Sequence, residues 1–306
     1  MKGRIHTVIT GTGSFIPPKM IDNKTFLSSE FFDQDGNLFE KSNTQIIDDF
    51  GRITDIVERR YIADDLMLSD IAFYAAEKAL ASAGSSGEDL DYIIFAQNFG
   101  DIKAGTRNMD MVPSLASRVK QKLGIRNPGA VAYDVIFGCP GWIQGVIQAD
   151  YYIRSGDAKK ILVIGAETLS RISDPHDRDS MLFSDGAGAV VLEGIESDSP
   201  KGVLAHASRT DSVKQAFFLS MGKSYRSDYE GTELFLKMDG RAVYEYALMT
   251  VPLVVKESMD KAGLSVEDID KFIFHQANAK MVEAILKRVG KLYGVTDLPP
   301  LALPMT

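Results

Sequence analysis

The segment from Val131 to Ile153 constrains what this chain can fold into more than any other. Val131 to Phe137 is rich in β-branched and aromatic residues and reads as a buried strand. It breaks at Gly138-Cys139-Pro140-Gly141, where Pro140 suits the first position of a helix because a missing N–H costs nothing there. Trp142, Ile143, Val146, Ile147, Ala149, Tyr152 and Ile153 follow, predicting a helix apolar on most sides and therefore buried. Ser155-Gly156 reads as its stop. The turn between strand and helix holds the only cysteine of the chain. The N–H groups of a first helical turn carry partial positive charge, which favours thiolate over thiol, and the thiolate is the nucleophile. Cys139 is therefore the candidate nucleophile of a covalent catalyst. The competing reading is a buried structural cysteine.

Composition narrows the class. With 306 residues the chain can bury a sizeable core, as one large domain or as two halves. One cysteine excludes an internal disulfide framework and a Cys-x-x-Cys metal site, and fits a reducing compartment such as the cytoplasm. A formal charge of −8 argues against broad nucleic-acid binding. No run approaches the roughly 18 apolar residues of a membrane span, and the N-terminus lacks the basic-then-apolar layout of a signal peptide.

Along the chain, strands and helices alternate. Strands are predicted over 5–10, 92–96, 131–137 and 160–165, with a Gly-rich entry into another over 183–192. Helices are predicted over 69–83, from Pro113 to near Gly124, and after Cys139. Residues 22–60 read as polar and irregular, and 98–112 as a polar loop. Gly11-Thr-Gly13 after the first strand resembles a dinucleotide phosphate site. The third glycine is absent and Pro17-Pro18 stands where the phosphate-binding helix should begin, so close backbone packing is the better reading. His176 lies among Asp174, Asp177 and Asp179 in what reads as a solvated acidic loop rather than a metal site. Ser197 to Gly202 is a linker-like break, after which the pattern restarts with a strand over 203–207, a long helix over 240–262, a strand over 272–275 and a helix over 280–289. The prediction is an α/β fold of two duplicated halves, residues 1–196 and 197–306, with largely parallel or mixed central sheets in layers. The apolar end, Leu298 to Thr306, reads as a tail that stops in mid-strand with no helix after it, so the sequence is expected to be shorter than the natural protein.

A second chemical motif, Phe274-His275-Gln276-Ala277-Asn278, falls where a strand gives way to a helix in the second half. Carboxyl ends of strands face the site crevice of open α/β sheets, and a cysteine working with a histidine is the common pattern for thiol acyl transfer. A buried histidine bonded to a backbone carbonyl is the alternative. His6 and His206, inside strand patterns, read as structural.

Taken together, these pieces resemble β-ketoacyl-acyl-carrier-protein synthase III, in the thiolase-like superfamily. The similarity is carried by Gly11-Thr-Gly-Ser14, Ile56-Val-Glu-Arg-Arg60, the Cys139-x-Gly turn, Asp174-Pro-x-Asp-Arg178, Ser184-Asp-Gly-Ala-Gly-Ala189 and His275-Gln-Ala-Asn278, in that order over nearly the whole chain. The resemblance implies a cytoplasmic homodimer that condenses acyl groups in fatty-acid or related lipid biosynthesis, with acyl-CoA and acyl carrier protein as partners and no cofactor or metal. Cys139 would take the acyl group, and His275 would hydrogen-bond the enolate formed when a malonyl thioester loses carbon dioxide. Arg178, Gln276, Asn278, Lys280, Lys287 and Arg288 would bind CoA or the carrier protein. The last three basic residues are spaced i, i+7, i+8 on one helical face. Val112 would gate the acyl pocket.

The chain also departs from the family pattern. The tryptophan that clamps the adenine with Arg178 would fall near Asp49-Phe50, where there is none. Asp55 stands where a glycine is usual, and the loop from Phe99 to Val112 looks extended. These changes weigh against acetyl-CoA as primer and toward a longer or unusual acyl donor. The resemblance also implies a strand beginning near Pro304 and, after it, the family's third catalytic residue, an asparagine, which would lie beyond Thr306, so residues 1–306 alone are expected to condense poorly. Two further readings stay open on the residues: a thiolase-fold acyltransferase that passes an acyl group to oxygen or nitrogen without decarboxylation, and a non-catalytic partner of an active homologue.

Overall fold

The computed structural model describes residues 4–296 and residue 298, so the expected strand near Pro304 lies outside the described residues. In chain order the strands are β1 (Arg4–Phe15), β2 (Lys19–Asp22), β3 (Glu58–Tyr61), β4 (Tyr92–Ala96), β5 (Asp101–Ile102), β6 (Met109–Asp110), β7 (Val131–Val135), β8 (Lys160–Thr168), β9 (Asp185–Ser197), β10 (Leu219–Gly222) and β11 (Phe235–Met238). The helices are α1 (Asn43–Thr54), α2 (Leu68–Ala83), α3 (Leu115–Lys122), α4 (Gly141–Ser155), α5 (Gly240–Ala262) and α6 (Ala279–Tyr293). They form two units that interleave in sequence. One takes the chain up to Met20, Arg60–Arg171 and Ser184–Leu204; the other takes Ile21–Arg59, Ile172–Phe183 and the chain from Ala205 onward. The sequence pattern had put 21–59 and 172–183 with the N-terminal half.

The first unit is built on a mixed five-stranded sheet in the order β1-β9-β8-β4-β7. β8, β4 and β7 run parallel, with Ala96 level with Gly165 and Val135, while β9 returns antiparallel to both β8 and β1. The central strands read as unbroken apolar runs because both faces are covered. Ile93, Phe95, Leu162 and Ile164 face one side, with α2 and α3; Ile94, Ile161 and Val163 face the other, with Ala149 and Ile153 of α4. On the α2 side, Ala72, Ala75, Ala76 and Ala79 are fully buried at helical spacing against β1. A Cβ on Gly13 would stand 2.2 Å from the Ala75 carbonyl oxygen, and one on Gly11 would stand 2.3 Å from that of Ala79. The Gly-x-Gly pair is thus a contact between a strand and a helix backbone, and β1 runs straight through it to Phe15.

Several sequence expectations change here. α4 is buried on one face only: Ile143 and Tyr151 are exposed, and Asp150 is buried among its apolar neighbours. The loop over 98–112 contains the paired strands β5 and β6, with Asp101 opposite Asp110. Arg118 of α3 pairs with both carboxylates, at 2.8 and 2.7 Å, and closes that hairpin.

The second unit contains α1, in the stretch that read as irregular. Its signal was a capping box: Ser42 accepts from the Gln45 amide while the Gln45 side chain accepts from the Ser42 amide. The helix over 240–262 forms as predicted, and α6 runs four residues beyond its expected end. The predicted strands over 203–207 and 272–275 do not form among the described residues: in the first the Val203 amide donates to the Thr7 carbonyl without starting a strand ladder, and the second carries a bridge at Phe272. An apolar run becomes a strand only where a neighbour supplies the ladder.

The acidic loop at 174–179 buries Asp174 and Asp177, while Pro175 and Arg178 remain exposed. Asp174 is 1% exposed and Lys237, from the middle of the apolar run Phe235–Met238, is 7% exposed. Lys237 donates to Asp174 at 2.5 Å and lies 3.3 Å from the centre of the Tyr225 ring. Asp174 also accepts from the Ser224 hydroxyl and from the amides of Tyr225 and His176, at 2.8–3.0 Å. His176 Nδ1 sits 3.0 Å from Ser224 Oγ. Burial pushes the Asp174 carboxyl up, and these bonds outweigh it and hold it below its ordinary value. Asp177, with burial and the charge of Asp179 against it, is pushed up to about 6. Removing one partner of a buried pair leaves the other charge uncompensated, at about 3–5 kcal/mol. Lys237→Met is expected to lower stability by about that much at pH 7 in urea denaturation, and by less at pH 4, where the stranded carboxylates take up protons.

Candidate active site

β4 and β7 end level with Gly165 of β8, which runs on to Thr168, and the chemistry of the first unit gathers at this edge. β7 leads through Ile136 and Phe137 to Gly138, whose φ of +64° turns the chain at no steric penalty. The Gly141 amide donates to the Gly138 carbonyl at 3.1 Å and closes the turn around Cys139 and Pro140. Pro140 is the N-cap of α4 rather than its first residue, so the helix begins one residue later than expected, and the Gln144 amide donates to the Pro140 carbonyl. α4 sits close on the sheet because Gly141 faces Ala96 and Gly145 faces Val163; a Cβ at either would approach those side chains to 3.0 and 2.8 Å.

Cys139 is exposed immediately before the N-cap. The helix end favours a thiolate there, but the surroundings oppose it. Desolvation by the surrounding protein raises the thiol although the residue is open to solvent, its own backbone N–H lowers it, and the charge of Glu167 raises it again, for a net upward displacement. Glu167, near the end of β8, is itself pushed up to about 7, mainly by burial. Its Oε2 accepts from the Asn98 backbone and side-chain N–H groups, both at 2.9 Å, and Asn98 Oδ1 accepts from the Gly138 amide at 3.0 Å. The sequence reading missed both residues. The available signal was their place, each within two residues of an apolar parallel run, 92–96 and 161–166. Val112, also of this unit, is 85% exposed, two residues before the Ser114 cap of α3.

The remaining expected site residues belong to the second unit. His275 is an exposed residue on the segment leading into α6, and desolvation by the surrounding protein lowers its imidazole, so the neutral form dominates at pH 7. Gln276 is exposed beside it. Asn278 is the N-cap of α6, its Oδ1 accepting from the Met281 amide at 2.8 Å, which ties that side chain to the helix rather than to a ligand. Lys280 donates to the Arg52 carbonyl in the last turn of α1, and Arg288 to the Leu248 carbonyl of α5 at 3.1 Å. Lys287 is exposed, and so is Lys291 four residues on, which extends the basic face by one helical turn. Arg178 stacks 4.9 Å from the centre of the Phe39 ring. Where the resemblance calls for a tryptophan, Phe50 packs beside the buried Phe31, Ile46 and Met181, with the Arg59 guanidinium 5.8 Å from its ring centre.

Comparison with known proteins decides the family. Residues 133–212 match the model of 3-oxoacyl-[acyl-carrier-protein] synthase III, and residues 259–291 match that of its C-terminal part. The β-ketoacyl-[acyl-carrier-protein] synthase III of Xanthomonas campestris is 36% identical over 294 residues, covering 94% of this chain and 82% of its own length. The chain belongs to the β-ketoacyl-acyl-carrier-protein synthase III family. The Caulobacter vibrioides member is 35% identical over 290 residues, with the same coverage of both chains. Among solved structures, the Pseudomonas aeruginosa 3-oxoacyl-(acyl carrier protein) synthase III aligns with a TM-score of 0.75 at 28% identity, covering 95% of this chain and 80% of that one. The fold is the thiolase-like mixed α/β fold, and the activity class is that of an acyl-transferring condensing enzyme. The two other readings, transfer without decarboxylation and a non-catalytic partner, are not favoured by these relatives. No described helix is long and apolar enough to cross a membrane.

Proposed function

We propose that the chain transfers an acyl group from acyl-CoA or an acyl carrier protein to Cys139 and then condenses it with a malonyl thioester. The placement of Cys139 carries this reading: it lies at the mouth of α4, beyond the carboxyl ends of three parallel strands. Thiolate attack on the donor thioester forms the acyl-cysteine and releases the donor thiol. The malonyl thioester then loses carbon dioxide, its enolate carbon attacks the acyl carbonyl, and the Cys139 thiolate leaves and recovers its proton. His275, neutral at pH 7, suits a hydrogen bond to the enolate oxygen, where negative charge develops. The basic face of Lys280, Lys287 and Arg288, extended by Lys291, suits an acidic carrier protein. Arg178 already faces Phe39, and no tryptophan stands opposite it, which favours a donor held by its acyl chain or carrier over one held by adenine. Val112 remains the proposed gate of the acyl pocket.

A homodimer in the cytoplasm completes the proposal. β7 is an edge strand whose Val131 is 47% exposed, and the Ile136 that follows it is 62% exposed; such an edge is usually paired or covered.

The test loads the full-length protein with acyl-CoA, reads the acyl mass on the Cys139 peptide, and then adds a malonyl carrier-protein thioester. Release of carbon dioxide with a β-ketoacyl product supports the reading. Transfer of the acyl group to oxygen or nitrogen with the malonyl group intact overturns it. His275→Ala is expected to lower condensation by about 10²–10³-fold, the usual effect of losing one oxyanion donor, while acyl loading of Cys139 falls far less.

A further inference from the structure

The turn that presents Cys139 is held from outside itself. The Gly138 amide has no strand partner, because β7 has ended at Val135; it donates instead to Asn98 Oδ1 at 3.0 Å. Asn98 cannot rotate freely, because its side-chain and backbone N–H groups both end on Glu167 Oε2 at 2.9 Å. Glu167 belongs to β8, its backbone in register with Gly186 of β9, so the relay runs from the sheet through two side chains to the residue before the cysteine. The other carboxylate oxygen, Oε1, is buried with no hydrogen-bond partner among the described residues. A buried polar atom left this way is expensive unless something depends on it.

We propose that Glu167 is a positioning residue for the Cys139 nucleophile: through Asn98 it fixes the Gly138 turn, and its negative charge opposes a second negative charge on the Cys139 sulfur. The inference rests on Cys139 being the nucleophile. Asp185, at the head of β9, adds its charge to that on Glu167, Arg171 lies close enough to Asp185 to offset it, and Glu167 acts on Cys139. The Glu167 carboxyl, pushed up to about 7, changes charge in the range where the enzyme works. Below that value the protonated carboxyl still accepts from Asn98 through its carbonyl oxygen, so the turn keeps its anchor while the opposing charge disappears. Above it the anchor strengthens and the thiolate is resisted.

The experiment compares Glu167→Gln, Glu167→Ala and Asn98→Ala with the parent, using the pH profile of Cys139 alkylation by iodoacetamide and the rate of acyl loading from acyl-CoA. Glutamine keeps an acceptor for Asn98 and removes the charge, so alkylation at pH 7.5 is expected to rise by about three- to tenfold as its midpoint moves to lower pH. Glu167→Ala shows the same shift but loses about tenfold or more in acyl loading, because a misaimed nucleophile forfeits orientation. Asn98→Ala loses loading without moving the alkylation midpoint downward. An alkylation profile of Glu167→Gln superimposable on that of the parent overturns the proposal, as does equal loading by Glu167→Ala and the parent. Absence of both alkylation and loading at Cys139 in the folded parent overturns the nucleophile reading itself, and the two failures are told apart by that control.

Discussion

Cys139→Ala is expected to abolish acyl loading and to lower condensation by about 10⁴-fold or more, the scale on which enzymes lose rate when a covalent nucleophile is removed. The chain has one cysteine, so the result is clean: mass spectrometry of the parent shows the acyl adduct on a single peptide, and the variant shows none. Cys139→Ser separates geometry from chemistry. It keeps the turn and its hydrogen bonds but offers a hydroxyl that has no ionised form at working pH, so it folds as the parent does and loads at a small fraction of the rate. The pH dependence has a definite sign. Desolvation by the surrounding protein and the Glu167 charge hold the Cys139 thiol above its ordinary value, so loading rises with pH until the thiol ionises. A loading rate flat from pH 6 to 9 would contradict that environment, and condensation surviving in Cys139→Ala would remove the nucleophile.

What the sequence made legible follows from which forces are local. The unit from Val131 to Ile153 could be read because each piece carries its own signal: β-branched residues for the strand, glycine and proline for the turn, helical spacing for α4. Tyr92–Ala96 and the helix over 240–262 form with the expected bounds for the same reason. The errors fall where a distant partner decides. Lys237 was invisible as a charge partner because Asp174 stands 63 positions away, and the loop it neutralises looked solvated. The predicted strands over 203–207 and 272–275 lacked a ladder among the described residues. In the site, Cys139 announced itself by place and uniqueness, whereas Asn98 and Glu167 did not. Neither residue type is unusual at a strand end, and only the convergence of β4, β7 and β8 makes them one relay. Asn278 shows the opposite case: it lies in a motif that carries the resemblance, and its side chain caps a helix.

The Gly-x-Gly pair of β1 leads to a large expected effect on stability. Gly13→Val places a branched side chain where even a Cβ would stand 2.2 Å from the Ala75 carbonyl oxygen and 2.4 Å from the Ala79 amide nitrogen. Both are helix backbone atoms, so no rotamer change relieves the overlap, and α2 must move off β1. That movement opens the cluster in which Ala72, Ala75, Ala76 and Ala79 are fully buried with Ile71 and Leu68. Overpacking a core typically costs about 1–3 kcal/mol where side chains can yield, so a clash with rigid backbone is expected at about 3 kcal/mol or more. Against a total stability of about 5–15 kcal/mol this is a large fraction. A nucleotide-binding glycine would behave otherwise, with stability kept and ligand binding lost. Gly51 supplies the control: it lies inside α1 with nothing within 4 Å of an added Cβ. Gly51→Ala is expected to stabilise by about 0.5–1 kcal/mol, through reduced freedom of the unfolded chain and better helix propensity. Urea denaturation of the two variants beside the parent checks both signs, and a Gly13→Val midpoint within error of the parent would show that α2 and β1 do not meet backbone to backbone.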